Sequence, residues 1–194
     1  MKVILVFVST LNGLITRGED PEVRKWSSKS DQKYYSRVWS ESRLIVMGSS
    51  TYDRNIIKPS RSRLIVVMTS HPEYYRQKEV KSVLEFTDMS PAGLVSQYSG
   101  LGYEMMTVVG GSKIAASFLS DSLINELWLT IEPRLFSKGL NLIGGEDLDI
   151  QLKLLECNKV NDNGTLITKY SIVTTNRLSS VFRQDLPGHH YDRR

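Results

Sequence analysis

The chain has 194 residues, 40% of them hydrophobic and 24% charged, enough to bury roughly 70% of its unfolded surface around one core. Its formal charge of +4 is too mild to demand nucleic acid, and the one small basic cluster, Arg54, Lys58, Arg61 and Arg63, lacks interleaved aromatics on which bases could stack. A single cysteine, Cys157, excludes an internal disulfide, and the three histidines, His71, His189 and His190, have no metal-ligand spacing, so no metal is expected.

The first apolar run, Val3 to Val8, is too short to span a bilayer and lacks the small-residue cleavage site of a secretion signal. It reads as a buried strand of a cytoplasmic protein, with neither membrane nor nucleic acid as a partner. Ser30 to Ser40 sets Tyr34, Tyr35, Val38 and Trp39 on one helical face. Arg43 to Met47 and Arg63 to Met68 are further apolar strands, Pro91 to Tyr98 a short helix, Met105 to Val109 a strand and Ser112 to Leu119 a helix. Strands this uniformly apolar are buried on both faces, which implies a mainly parallel sheet crossed by helices. Leu123 to Ile131 adds another strand. The pattern then changes: Ile150 to Cys157 and Leu166 to Thr174 flank Asn161-Asp162-Asn163-Gly164, the chemistry of a hairpin turn, so the sheet should end antiparallel. The expected architecture is a three-layer α/β sandwich of about eight strands, with one domain over residues 1–178 and a polar tail over 179–194.

Residues 105 to 119 carry the strongest chemical signal, because an apolar strand passes through Gly110-Gly111 directly into an amphipathic helix. Glycines let the backbone turn tightly and approach a ligand closely, while the free N–H groups and positive dipole end of the helix favour an anion. Ser112 and Lys113 add donors there. Two other strand ends are similar: Gly48-Ser49-Ser50-Thr51 after the second strand and Thr69-Ser70-His71 after the third. Such edges line ligand crevices in α/β folds, and three of them can hold one elongated anion. Ser28-x-x-Asp31 is a capping-box pattern at the start of the first helix, so Asp31 either supports that helix or faces the crevice as an acid. At a helix N-terminus the dipole should keep its carboxylate ionised.

Taken in order, the first strand, Leu11-Asn12-Gly13-Leu14-Ile15, Trp26, a helix, Met-Gly-x-x-Thr, Thr-Ser-His and Val-Gly-Gly resemble the dihydrofolate reductase superfamily over residues 1 to 175. The branch most similar is the one containing the reductase domain of riboflavin biosynthesis. That resemblance implies an NADPH-dependent reductase, often a homodimer. It implies that Val109, Gly110, Gly111, Ser112, Lys113 and Ile114 hold the pyrophosphate, and that Gly48, Ser49, Ser50 and Thr51 form a second phosphate loop. Thr69, Ser70 and His71 fall where the 2′-phosphate is held, and Val8 and Ile15 where the nicotinamide carboxamide is gripped. Asp31 matches the substrate carboxylate, Thr130 its hydroxyl partner, and Trp26 and Tyr35 flank the pocket. The chain also departs from the pattern. Ser49 replaces an arginine, Asn12 an aspartate and Val109 a glutamate, while Trp39 falls where an arginine meets the substrate phosphate and Tyr52-Asp53-Arg54-Asn55 replaces an Asp-Asp-Pro segment. The expected function is hydride transfer from NADPH to a C=N or C=O bond of a small pteridine, pyrimidine or aldose-derived substrate. The alternative is a noncatalytic nucleotide-binding module of the same fold.

Overall fold

The computed structural model describes residues 1–55, 57–144 and 148–177. The polar tail expected over 179–194 therefore lies outside the described residues.

Eight strands form one sheet: β1 (Lys2–Thr10), β2 (Leu44–Gly48), β3 (Leu64–Met68), β4 (Leu84–Thr87), β5 (Met105–Val108), β6 (Glu126–Glu132), β7 (Leu148–Lys159) and β8 (Leu166–Arg177). Their order across it is β4-β3-β2-β5-β1-β6-β8-β7. The strands from β4 to β6 run parallel, and β8 is antiparallel to both β6 and β7. The hairpin turns where expected, with Gly164 at φ +93 and the Asn161 side chain accepting from the Thr165 N–H. Two elements differ from the sequence reading. β4 has only four residues and its side chains alternate between buried and half-buried, too weak a pattern to read. β6 begins at Glu126, because Ser122 takes a left-handed φ of 56 and Leu123 and Ile124 still belong to the connection.

The helices α1 (Lys29–Glu41), α2 (Ser49–Asp53), α3 (Pro91–Gly100) and α4 (Ser112–Ser120) complete the fold. α1 covers one face, where Tyr34 and Val38 pack on Ile4, Val6 and Ile167. α3 and α4 cover the other, where Leu94, Tyr98, Phe118 and Leu119 meet Val3, Leu5, Val46 and Val108. The chain thus leaves β1 over one face to reach β2, and leaves β5 over the opposite face to reach β6. The boundary between β5 and β1 is a topological switch point, where open α/β sheets bind ligands.

The segments following β1 and β6 are zipped together beside this boundary. Leu11 N–H donates to Arg134 O at 2.9 Å, Ile15 N–H to Leu140 O at 2.8 Å and Gly18 N–H to Lys138 O at 2.8 Å. Asn12 uses both ends of its amide: Nδ2 donates to Phe136 O, and Oδ1 accepts from Thr10 Oγ1 and the Phe136 N–H. An aspartate in its place could not donate to Phe136 O, which gives the departure at this position a physical reason. The zip also demands glycine at 139, where a Cβ would lie 2.2 Å from Thr16 O. Gly139→Ala is therefore expected to destabilise the chain by about 1–3 kcal/mol, since backbone cannot rotate away as a side-chain tip can. Urea unfolding should show a lower midpoint with an unchanged slope.

Candidate active site

The sheet splits at the switch point. β1 pairs with β5 from Lys2 to Leu5 and no further, while it stays paired with β6 as far as Thr10. β5 meanwhile turns to β2, its continuation held by Val109 N–H to Val46 O and Gly48 N–H to Gly110 O, both at 3.0 Å. The pairing is therefore open between Phe7 and Val8 on one lip and Val109 and Gly110 on the other, a slot in the ladder with the Phe7 ring against Gly110. β1, buried from Val3 to Val6, becomes half-exposed at Phe7 and Val8.

Glycines let the loops after β2 and β5, the two expected phosphate loops, converge at this slot. A Cβ on Gly48 would lie 2.9 Å from Ile114 Cγ1, and one on Gly111 would approach Thr51 Oγ1 to 3.4 Å. Gly110 has φ +119 and sits against the Phe7 ring; the Gly110–Gly111 peptide is cis. α1 and α3 are capped by the side chains of Ser28 and Ser90, whereas α2 and α4 start at Gly48 and Gly111 with no side-chain cap. The first N–H groups of α4 thus carry no competing side-chain acceptor, as an anion site requires. Ser112 lies against the segment after β6, since a Cβ on Gly144 would come within 3.0 Å of Ser112 Oγ.

The third expected edge stands at the end of β3. Thr69 Oγ1 accepts from the His71 N–H, and the exposed His71 ring stacks on Tyr74 with Nδ1 3.1 Å from Glu73 Oε1. Next to it, Tyr75 stacks on Phe86 and donates to Asp53 Oδ2 at 2.7 Å, with Lys78 Nζ 5.3 Å from the centre of its ring. Ser49, which replaces the expected arginine, also faces the Tyr75 hydroxyl. Arg63 leaves the basic cluster read from the sequence: it donates to Trp39 O and lies over the Trp39 ring. Trp39 packs against the core beside Ile45, Met47 and Phe86, and Arg37 covers Tyr34.

Across the slot, Asp31 is 5% exposed and faces Thr130. Both expectations for its carboxylate need correction. The Ser28 hydroxyl does cap the Asp31 N–H, but the return bond of a capping box is absent, because Ser28 N–H donates to Glu132 Oε1 at 2.7 Å. Nor is its pKa lowered, as the helix dipole alone would have it. Burial raises its pKa, the nearby Glu132 carboxylate raises it further, and the Thr130 and Ser27 hydroxyls oppose the rise. Tyr35 lies close enough to Asp31 to feel its charge; burial first and that charge second hold its phenol protonated. Trp26 is 2% exposed, packs edge-on against Phe136 and leaves its indole N–H without a partner. Ile15, expected with Val8 to grip the nicotinamide carboxamide, lies in the segment after β1 with its N–H committed to Leu140 O.

Glu132 was not singled out by its sequence context. It is 2% exposed and two residues beyond Thr130, on the same face of β6. Its position at a strand end before Pro133 reads as an exposed terminus, and only the alternation from Thr130 could have pointed inward. A hollow of about 690 Å³ lies beside it, between Ser28 and Lys29 of the α1 start, Arg134, and Asn161 and Asn163 of the hairpin turn. Among the described residues no helix is long and apolar enough to cross a membrane, and no cluster of His, Cys, Asp and Glu is placed to hold a metal.

Comparison with known proteins agrees with this geometry. Residues 16–166 match the family model described as the RibD C-terminal domain. Among solved structures, a candidate riboflavin biosynthesis protein from Shewanella sp. PV-4 superposes with a TM-score of 0.70 at 18% identity, over 89% of this chain and 99% of that one. A pyrimidine reductase-like protein from Corynebacterium diphtheriae gives 0.69 at 14% identity, over 89% and 92%. A diaminohydroxyphosphoribosylaminopyrimidine deaminase/5-amino-6-(5-phosphoribosylamino)uracil reductase from Thermotoga maritima gives 0.67 at 15% identity, over 88% of this chain but 56% of that one. At such identities these likenesses show the fold. No curated protein matches the chain.

The buried Asp31 has a consequence for stability. A carboxyl whose folded pKa is raised favours folding only below its unfolded pKa, and that contribution is lost as pH rises through the folded pKa. At neutral pH the raised pKa of Asp31 therefore works against folding. Asp31→Asn should be more stable than the parent at pH 7, with the difference shrinking on acidification. Each unit between the two pKa values is worth about 1.4 kcal/mol, roughly 3–6 °C in Tm for a domain of this size. Thermal melts of both proteins across that pH range check this.

Proposed function

Because the chain belongs to the RibD C-terminal domain family, we propose that it is an NADPH-dependent reductase that delivers hydride to a C=N or C=O bond of a small heterocyclic or aldose-derived substrate. One observation supports this above the others: the slot between β1 and β5 has two glycine-built, uncapped helix starts at one end and a buried acid with a raised pKa at the other. Hydride transfer needs a dinucleotide laid along such a slot and a proton donor beyond its reactive ring.

The residues present fit the cofactor. Gly110 to Lys113 would hold the pyrophosphate, with the Gly48 to Thr51 loop against it, and a side chain at either glycine would enter that space. Thr69, Ser70 and His71 would take the 2′-phosphate end. The arginine fork usual there is missing, and Lys78 is the cation packed on that wall. NADPH supplies the hydride; the chain orients it and manages the proton. Asp31 is held toward its protonated form and so suits an acid, Thr130 fixes its carboxyl, and Tyr35 adds a neutral hydroxyl nearby.

Gly111→Asp should keep the fold, since its Cβ meets only Thr51 Oγ1, yet place a negative charge in the phosphate space. Like charges brought together cost several kcal/mol, so NADPH affinity should fall on the order of 100-fold or more by fluorescence titration. Unchanged affinity would remove the assignment of this turn. With a pteridine or pyrimidine substrate, loss of the NADPH absorbance should slow as pH rises through the Asp31 pKa, and Asp31→Asn should lack that limb. Tight NADPH binding without turnover across a substrate panel would instead identify a noncatalytic module.

A further inference from the structure

We propose that Glu132 is a positioning residue that fixes the first turn of α1 against β6 and the β7–β8 hairpin, and thereby sets where Asp31 meets Thr130. The inference rests on the reading of Asp31 as the proton-handling group. The Glu132 carboxylate is divided between two elements: Oε1 accepts the Ser28 N–H at 2.7 Å, and Oε2 accepts the Thr165 hydroxyl at 2.8 Å. Thr165 is fully buried and is itself held by the Asn161 amide at 2.9 Å, so the hairpin turn backs the carboxylate from behind. In an ordinary capping box the return bond to the N-cap N–H would come from residue 31. Here β6 makes that bond. Asp31 is released from the helix start, and the turn carrying it is anchored to the strand that bears Thr130.

The arrangement also places a second acid beside the first. The groups around Asp31 are the Tyr34 and Tyr35 phenols of α1, the Thr130 hydroxyl and Glu132 of β6, and the Ser27 hydroxyl. Lys29 and Arg134 line the hollow together with Glu132. Of the charged groups, Glu132 is the one acting on Asp31, and a like charge disfavours ionisation.

Two substitutions separate position from charge. In Glu132→Gln the amide oxygen can still accept from Ser28 N–H and the amide nitrogen can donate to Thr165 Oγ1, so the turn stays while the charge goes. Glu132→Ala removes both. The Asp31 carboxyl is followed by carbon-13 NMR of aspartate-labelled protein, with its signal assigned by Asp31→Asn. The exchange rates of the Ser28 and Asp31 amides are measured in the same samples.

The expected results are a lower titration midpoint for Asp31 in Glu132→Gln with parental exchange at Ser28, and at least tenfold faster exchange of both amides in Glu132→Ala. A displacement of Asp31 on the order of an ångström should also slow NADPH turnover by roughly 10- to 100-fold in Glu132→Ala. Parental exchange of both amides in Glu132→Ala overturns the proposal. If Glu132→Ala fails to fold, Glu132→Leu, which fills the space without offering an acceptor, takes its place and the same exchange rates decide. The NMR and exchange measurements contain no substrate, so their failure counts against Glu132 alone, whereas absence of turnover in the parent protein counts against the reductase reading.

Discussion

The transfer of β5 from β1 to β2 is the constraint on which the rest of this molecule turns. Up to Val108 the central strand is hydrogen-bonded on both sides; one residue later its amide reaches Val46, and Gly110 O is taken by Gly48 N–H. That last bond brings two strand ends together so closely that a side chain at 48 would strike Ile114. Two glycines therefore do two things at once: they close β2 onto β5, and by doing so they part β5 from β1. The slot is thus a by-product of backbone hydrogen bonding.

A slot opened in this way needs walls that resist collapse, and those walls come from the connections. The segments after β1 and β6 hydrogen-bond to each other through backbone and through Asn12, whose amide is shared between them. Trp26 and Phe136 pack edge to face where these segments meet, which joins the α1 approach to the same unit. On the far side, the Tyr52, Tyr75 and Phe86 rings form a compact wall at the ends of β2 to β4. Rigid loops around an opening are what a positioning site requires, because misplacement of reacting groups by an ångström costs rate steeply.

Much of this was legible in the residues. The four interior parallel strands announced themselves as unbroken apolar runs, since burial on both faces leaves no room for alternation. The hairpin was written in Asn161 to Gly164, and the tight strand ends in Gly48 and Gly110-Gly111, where the backbone conformation or close approach excludes other residues. β4 was not legible, because a four-residue edge strand lacks enough positions to define a period. The environment of Asp31 was hidden for a different reason. A capping box is a local pattern, and what broke it is a hydrogen bond to Glu132, 104 residues away. No local rule could see that competitor. Asn12 and Arg63 were likewise visible as residue types, but their partners Phe136 and Trp39 are set by tertiary structure.

The two acids illustrate how such a site is balanced. Glu132 accepts two short hydrogen bonds, from a backbone amide and from a buried hydroxyl, so its burial is compensated. Asp31 has hydroxyls nearby but no cation and no backbone amide donating to its oxygens among the described residues, so its charge is compensated only in part. A neighbouring carboxylate disfavours ionisation in a poorly solvated space, and the pKa of the less compensated acid, Asp31, is raised. The difference lies in hydrogen bonding: Glu132 is bonded into the structure through both oxygens, whereas Asp31 is the acid whose pKa burial raises. A purely structural pair would gain nothing from this asymmetry, since replacing Asp31 by an apolar residue would remove the penalty. Retaining a destabilising carboxyl opposite a glycine-built slot is the pattern expected where stability is traded for chemistry.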